Sequence, residues 1–411
     1  MPTPLRPATP PALRPGAVIH GPGSEHVDAL LDRFVHELQR RGFRVGGVVQ
    51  RNYGERDDCA DRMELVDVAT GRAFGISQNL GRESRACRVD PAGVADASQA
   101  LRRAIEERAD LIVVNKFAGL EAHGEGLSDE ILTAISEGIP VLISVGSRFT
   151  NEWQTFTGGY ADLLTPDWDA LWRWWGAARL YEDLMLGVED SDVRRVLVGP
   201  KWVMVEAACG VGLAARPSVT TDAEIPPPGA WAGARLKDLA LQAARSWDPL
   251  AMSVGIAALN AHYNRADLQG PDVNGLDLLK GVEGRVVVVG GFPQVAQRLP
   301  DAHVIEINPR PGEYPEPACD WLLPGAEGVL VTASALANRT LPRLLAAARG
   351  CRVVLVGPGT PLTPRLFDYG IDTLSGFVVR DVAAVAEAIS AGAASKQFHV
   401  HGRFVTLRRP G

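Results

Sequence analysis

The sequence predicts an α/β protein whose last third is a doubly wound parallel sheet. Residues 284–293 (GRVVVVGGFP) set four consecutive valines before a Gly-Gly turn, the mark of a strand buried on both faces and ending where a helix begins. That pattern recurs at 302–312 (AHVIEINPRPG), 328–340 (GVLVTASALANRT) and 351–364 (CRVVLVGPGTPLTP). The intervals are long enough for the crossovers that parallel strands require. In such a sheet the loops at the strands' carboxyl ends form one rim, where ligands bind. The candidate ligand-binding residues of that crevice are therefore Gly290, Gly291, Phe292, Pro293, Glu306, Ser334, Asn338, Thr340, Gly357, Gly359 and Thr360.

A chain of 411 residues, 46% hydrophobic and 22% charged, suits two or three globular domains. Its net charge of -7 argues against nucleic-acid or membrane-surface binding, both of which call for a basic face. Five cysteines without a CxxC suit a reducing compartment, so a cytoplasmic location is expected. No apolar run has the length of a membrane span. Residues 1–15 are Pro-rich, lack the apolar centre of a signal peptide and predict a disordered tail.

A first domain is expected over 16–165. Residues 17–49 predict strand, Gly-containing loop, helix and strand, with Leu30, Leu31, Phe34, Val35 and Leu38 at helical spacing. A hairpin follows at 62–77, closed at 69–72; then come a buried strand over 109–117, a helix over 127–137 and a strand over 140–145. Residues 152–159 predict a loop over the domain's edge. This layout resembles the small P-loop nucleoside-triphosphatases. The chemistry departs from theirs, with Val27 at the position of the phosphate-binding Lys, Asp28 at that of the Mg²⁺-binding Ser/Thr, and Asn115-Lys116 where an acid should close the second strand. Magnesium-dependent NTP hydrolysis is therefore not expected, nor Mg-ATP as cofactor. Asn115, Lys116, Phe117, Glu121, Ala122, Gly124, Gly126 and Leu127 match a signature of a bacterial family whose members are described as molybdenum-transport ATPase-like. Lys116 either helps a helix N-terminus hold an oxyanion or pairs with Glu121 or Glu125. Cys59 and Cys87, with Arg56, Arg62, Arg85 and Arg88 nearby, are either unpaired thiols or a soft-metal or redox pair.

Residues 166–187 predict a connector helix bearing Trp168, Leu171, Trp172, Trp175, Leu180 and Leu184, an apolar face suited to a domain or homo-oligomer contact. Over 188–264 three short strands, turning at 199–200 and 209–210, precede a Pro-rich loop at 225–228 and helices over 233–245 and 248–264. Glu206 shares an apolar strand face with Trp202 and Met204, so it either packs against a partner or serves as an acid/base.

The last domain is expected over 265–405. Segments 263–279, 286–293, 306–318, 332–341 and 357–372 together resemble the bacterial and archaeal family called "putative heavy-metal chelation". With the preceding unit, which resembles the enolase amino-terminal fold, the likeness covers about 180–390. It implies a Rossmann-like domain and a site in the cleft between the two. Where that family writes T-L-x-N-G-T this chain has Arg339 for Gly, which adds charge at a mouth position. Glu306 ends the second strand, where a Rossmann enzyme places a ribose-binding acid, and it can equally serve a metal. Ser334 is a donor or merely a helix cap. Asn264 and Asp267, with Asp272, Asn274 and Asp277, are oxygen donors for a hard cation or are turn residues. His399 and His401 share a face if 398–401 is a strand, a weak metal signal.

The expected function is a cytoplasmic binding protein that holds a heavy metal, metal chelate or metal oxyanion in that cleft, with Glu306, Asn264 and Asp267 as metal candidates. Molybdenum is the metal suggested by the resemblance of the first domain. The alternative is a small-molecule transferase or lyase with Glu206 or Glu306 as acid/base; a third reading makes both sites vestigial and the chain a scaffold.

Overall fold

The computed structural model describes residues 13–21, 25–53, 62–77, 89–217 and 231–410. It divides into two compact units, Ala8–Trp175 and Gly176–Gly411. Among the described residues, no helix is long and apolar enough to cross a membrane. The readings of Cys59, Cys87 and the 225–228 loop lie outside the described residues, as do residues 1–12 of the tail.

In the first unit the strands are β1 (Gly16–His20), β2 (Val45–Tyr53), β3 (Arg62–Asp67), β4 (Ala73–Gly75), β5 (Leu111–Phe117), β6 (Val141–Gly146) and β7 (Asp162–Leu164). They form one sheet in the order β4-β3-β2-β5-β6-β1-β7. The strands from β2 to β7 in that order run parallel, and β3 and β4 are added antiparallel. The helix Glu25–Arg40 buries Val27, Leu31, Phe34, Val35 and Leu38, and the hairpin turn is tied by Asp67, which accepts from Ala69 N and Thr70 Oγ1.

Several expectations for this unit are corrected. The helix Pro91–Glu106 went unread; Asp90 caps it, Pro91 opens it, and its alanine-rich face is buried. Residues 150–156 form a helix rather than a loop, and place Trp153 in the core beside Phe117 and Phe156. The tail is ordered at its end, where Arg14 O accepts from Trp174 Nε1 and Pro15 O accepts from Asp162 N. The tryptophan-rich segment is not one helix, because it breaks at Gly176, whose φ of 88° is a left-handed conformation that favours glycine. Its first half, Trp168–Trp175, packs edge-on against Phe34 and Phe43 of the same unit. Trp172, Trp174 and Trp175 are buried there, so the apolar face proposed for a homo-oligomer contact is consumed internally.

The second unit joins a three-stranded antiparallel sheet to a second seven-stranded sheet. The small sheet is β8 (Val193–Val198), β9 (Trp202–Ala207) and β10 (Gly210–Ala215), packed on the helix Pro249–Tyr263, against which the helix Leu236–Arg245 packs in turn. The longer helix is apolar nearly all round and is buried accordingly. The large sheet comprises β11 (Val286–Val289), β12 (His303–Glu306), β13 (Tyr314–Pro315), β14 (Gly328–Thr332), β15 (Arg352–Val356), β16 (Thr373–Val379) and β17 (Gly402–Arg408), in the order β13-β12-β11-β14-β15-β16-β17. The four strands read from sequence lie side by side and parallel. The strand β16 extends them and β17 closes the edge antiparallel. His399 and His401 fall in a 3-10 turn before β17, so the shared strand face expected for them does not exist.

Candidate functional site

Two carboxyl-edge regions carry the candidate residues, one in each unit. In the first, β5 and β6 bring together the groups that stand where a P-loop protein would hold Mg²⁺. Ser144 Oγ donates to Asn115 Oδ1 at 2.6 Å, and Asn115 Nδ2 donates to Asp28 Oδ1 at 2.7 Å. Asp28 stands in the first turn of Glu25–Arg40, so the positive end of that helix already faces a carboxylate. The Lys116 side chain follows on β5 and is half-buried. His20, which the sequence reading passed over, ends β1 buried, with Nδ1 2.9 Å from Gly21 O.

The signature around Asn115–Leu127 is explained by loop closure. Glu121 is buried; its Oε2 accepts from Ala118 N at 3.0 Å and its Oε1 from Leu127 N at 3.4 Å. Gly126, at φ 64°, leaves room for that carboxyl, since a Cβ there would lie 2.3 Å from Oε1. Glu121 thus takes its bonds from backbone amides and not from Lys116, whose charge acts on it at longer range. Burial raises the Glu121 pKa above its ordinary 4.5, ahead of the amide bonds and Lys116, which lower it. A carboxyl with a raised folded-state pKa stabilises most below the unfolded value and loses that contribution as pH rises through the folded one. The urea midpoint of the first unit, wild type minus Glu121→Gln, is therefore expected to increase as pH falls from 7 toward about 4.5. A difference that is flat or shrinks on acidification would contradict this.

In the second unit, β11 leads to β12 on one side while β14 and β15 grow on the other, so the strand order reverses between β11 and β14. A crevice opens at the carboxyl edge of such a sheet at its switch point. Gly290 and Gly291 leave β11 there. Gly290 has φ 105°, and a Cβ on it would meet Thr332 Cγ2 at 2.4 Å. A Cβ on Gly291 would lie 2.5 Å from Glu306 Oε1. Gly290 therefore fits beside Thr332 on β14 only without a side chain, while at Gly291 the Glu306 carboxylate from β12 lies close against the backbone. Glu306 is half-buried, and its Oε2 accepts from Ile307 N at 2.7 Å. Among the described residues no ion pair engages it. Across the turn, Thr332 Oγ1 and Ser334 Oγ are 3.2 Å apart, and Ser334 N reaches Thr332 Oγ1 at 3.4 Å. Phe292 packs on the apolar cluster of Leu276, Val288 and Leu299.

The structure brings Gly290, Gly291, Glu306 and Ser334 together and separates other candidates from them. Pro293 is exposed and does not open a helical turn, because Gln294 adopts φ 71° before the short helix Val295–Arg298. Asn338 Oδ1 accepts from Thr340 N at 3.1 Å and Thr340 Oγ1 at 2.7 Å, so these two side chains close their own turn. Gly357, Gly359 and Thr360 do not line an open crevice. Gly359 lies against Ala214 and Ala333, Thr360 is fully buried, and Asn260 Nδ2 donates to Gly359 O at 2.9 Å and Leu213 O at 2.7 Å. The seam between the small sheet and the large one is closed there. Asn260 was missed; its one signal was a lone amide in an apolar helix.

Asn264 is part of that closure. Its Nδ2 donates to Thr360 O at 2.9 Å and Phe377 O at 3.2 Å, while its Oδ1 accepts from Leu362 N at 2.9 Å. Asp267 is exposed beside Arg265. Neither joins Glu306, and among the described residues no group of three or more His, Cys, Asp or Glu side chains is placed to hold a metal. Glu206 is engaged across the small sheet by Arg195 at 2.9 Å, with Arg194 at 4.0 Å, which removes it from the crevice. Arg339 does not enter a mouth. It adopts φ 59°, where glycine is the easy residue, and donates to Ala243 O, Ser246 O and Met252 Sδ while lying over the Tyr181 ring.

A bare heavy-metal ion is bound by several converging thiolate, imidazole or carboxylate donors. The crevice offers one carboxylate, two hydroxyls and a glycine turn. Among the described residues, that donor set falls short of what a bare ion needs.

Comparison with known proteins agrees with this division of the chain. Residues 16–174 match the family "Protein of unknown function (DUF2478)". Residues 181–263 and 274–408 match DUF4213 and DUF364, both described as "putative heavy-metal chelation". The chain is 43% identical over 162 residues to the "Molybdenum import ATP-binding protein ModC 2" of Bradyrhizobium diazoefficiens, covering 39% of this chain and only 18% of that protein. A crystal structure of a DUF364 protein from Desulfitobacterium hafniense is 33% identical, with TM-score 0.51, and covers 56% of this chain and 97% of its own. Another, from Pyrococcus horikoshii, is 21% identical, with TM-score 0.48, covering 56% of this chain and 99% of its own. Through its second unit the chain belongs to the DUF364 family, and it carries a DUF2478 domain ahead of the paired DUF4213 and DUF364 segments.

Proposed function

We propose that the second unit binds a small organic molecule in the crevice at the ends of β12, β11 and β14, and that any heavy metal reaches this crevice already chelated by that molecule. The carrying observation is the pairing of Glu306, oriented by Ile307 N, with the glycine turn and the Thr332–Ser334 hydroxyls, in the absence of a metal-donor cluster among the described residues. The family description supplies the link to metals. The first unit acts as a docking or regulatory module, and the name of its Bradyrhizobium relative supports a connection to molybdenum handling.

The full chain, purified without a tag, tests this by native mass spectrometry and elemental analysis. We expect a small organic mass retained at fixed stoichiometry, with metal released only together with it. Retention should be lost in Glu306→Ala and unchanged in Glu206→Gln, whose effect on stability should stay below about 1 kcal/mol as for other surface pairs. A metal bound as the free ion, with the same stoichiometry in Glu306→Ala, would overturn the proposal.

A further inference from the structure

We infer that the organic molecule is a ribonucleoside without phosphate, its ribose diol held by Glu306. This rests on the crevice assigned above as the binding site, and three observations carry it.

The first is the place and state of the carboxylate. Glu306 ends the strand that follows β11 and lies next to it on the side away from β14, the position from which a switch-point site reaches a ribose. The amide of Ile307 holds Oε2 at 2.7 Å, and Oε1 lies over the Gly290–Gly291 turn. A carboxylate can accept about four hydrogen bonds, and the only one found for Glu306 among the described residues is that from Ile307 N. Two adjacent hydroxyls would fill two of the remaining positions, which a single donor cannot.

The second is exposed apolar surface just after the acid and on the neighbouring strand. Ile307, the next residue, is 67% exposed, and Tyr314, paired in register with Ile305 and edge-on to the His303 ring at 5.6 Å, is still 38% exposed. A planar base carried by the ribose would cover such a surface, gaining about 25 cal/mol for each Å² of apolar area removed from water.

The third is the lack of phosphate-binding apparatus after the turn. Phosphate at a switch point is held by the amides and dipole of a helix N-terminus. Here Gln294 at φ 71° interrupts the path, and the helix that follows spans only Val295–Arg298. Its basic residue, Arg298, is bound by both oxygens of Asp277, at 2.8 and 2.6 Å. The charge of Glu306 would add repulsion.

Calorimetric titration of the full chain with adenosine, 2′-deoxyadenosine, 1-O-methylriboside and AMP tests the inference. Adenosine should bind. Removing one hydroxyl should weaken binding about tenfold or more, the loss of one hydrogen bond to a charged group. The riboside should bind more weakly than adenosine, since it lacks the base, and AMP no tighter. Glu306→Gln should lose most of the preference for adenosine over its deoxy analogue. The wild-type comparison stands even where the variant folds poorly. Equal affinity for adenosine and 2′-deoxyadenosine, tighter binding of AMP, or no adenosine binding at millimolar concentration would each overturn it. Glu306-dependent retention of a chelate by a protein that ignores adenosine would sink this inference alone. Adenosine binding by a protein that purifies with no metal-bearing ligand would sink the chelate reading alone.

Discussion

Replacing Asn264 with aspartate is expected to destabilise the second unit by at least about 3 kcal/mol, since it leaves two buried carbonyls without donors and faces them with a carboxylate. Asn264 is 2% exposed, and its amide joins the end of the long helix to the backbone at Thr360, Leu362 and Phe377. Two donors and one acceptor are used at once, a pattern that an amide can supply and a carboxylate cannot. The substitution also separates the two roles that the sequence left open for this residue. A hard-cation ligand would tolerate or favour aspartate, because charge and oxygen donors increase. A clamp fails. Denaturant midpoints, with hydrogen exchange of the 357–362 amides, would decide. An aspartate variant as stable as wild type would remove the clamp assignment.

The second large effect is expected at Asp183. This carboxylate is fully buried on the helix Leu180–Leu186, where it accepts from Arg365 and, at 3.0 Å, from the Tyr369 hydroxyl. The Arg365 guanidinium also donates to Asp183 O at 3.1 Å. Gly187 makes the space for this, since a Cβ there would lie 2.6 Å from Arg365 Nε and 2.2 Å from the Tyr263 hydroxyl. Asp183→Ala would leave a largely buried cation without its counter-charge, at a cost of about 3–5 kcal/mol. Because that penalty comes from the stranded charge, Asp183→Leu combined with Arg365→Met should recover much of the loss. The urea midpoints of the two variants give the answer. A single variant within about 1 kcal/mol of wild type would show the pair to be dispensable.

The same pair shows what a linear reading misses. Asp183 and Arg365 are 182 positions apart, and nothing local marks either as buried. Strand positions were legible because burial on both faces leaves an unbroken apolar run, as in Val286–Val289, and parallel pairing follows from the crossover lengths. The long apolar helix was legible for the same reason. The Trp168–Trp175 helix was legible as apolar, but not as the inner lining of its own unit, because the identity of a packing partner is not a local property. Polar roles misled for a related reason. Asn264, Asn338, Thr340 and Glu206 are sound ligand types, and each proves to be bound to backbone or to a neighbouring side chain.

The sequence alone determined the α/β class, the four central strands of the second large sheet, and the strand-end positions of Gly290, Gly291 and Glu306. Periodicity and chain length control these, and both are written along the chain. Only the tertiary structure decided which part of the rim is covered. The loop after β15 is closed because Asn260 and Asn264 reach it from a helix about a hundred residues earlier, whereas among the described residues no such amide clamp is found on the loops after β11 and β12. Hydrogen bonds between distant segments depend on three-dimensional proximity, and that arises only once the sheet and helices have packed.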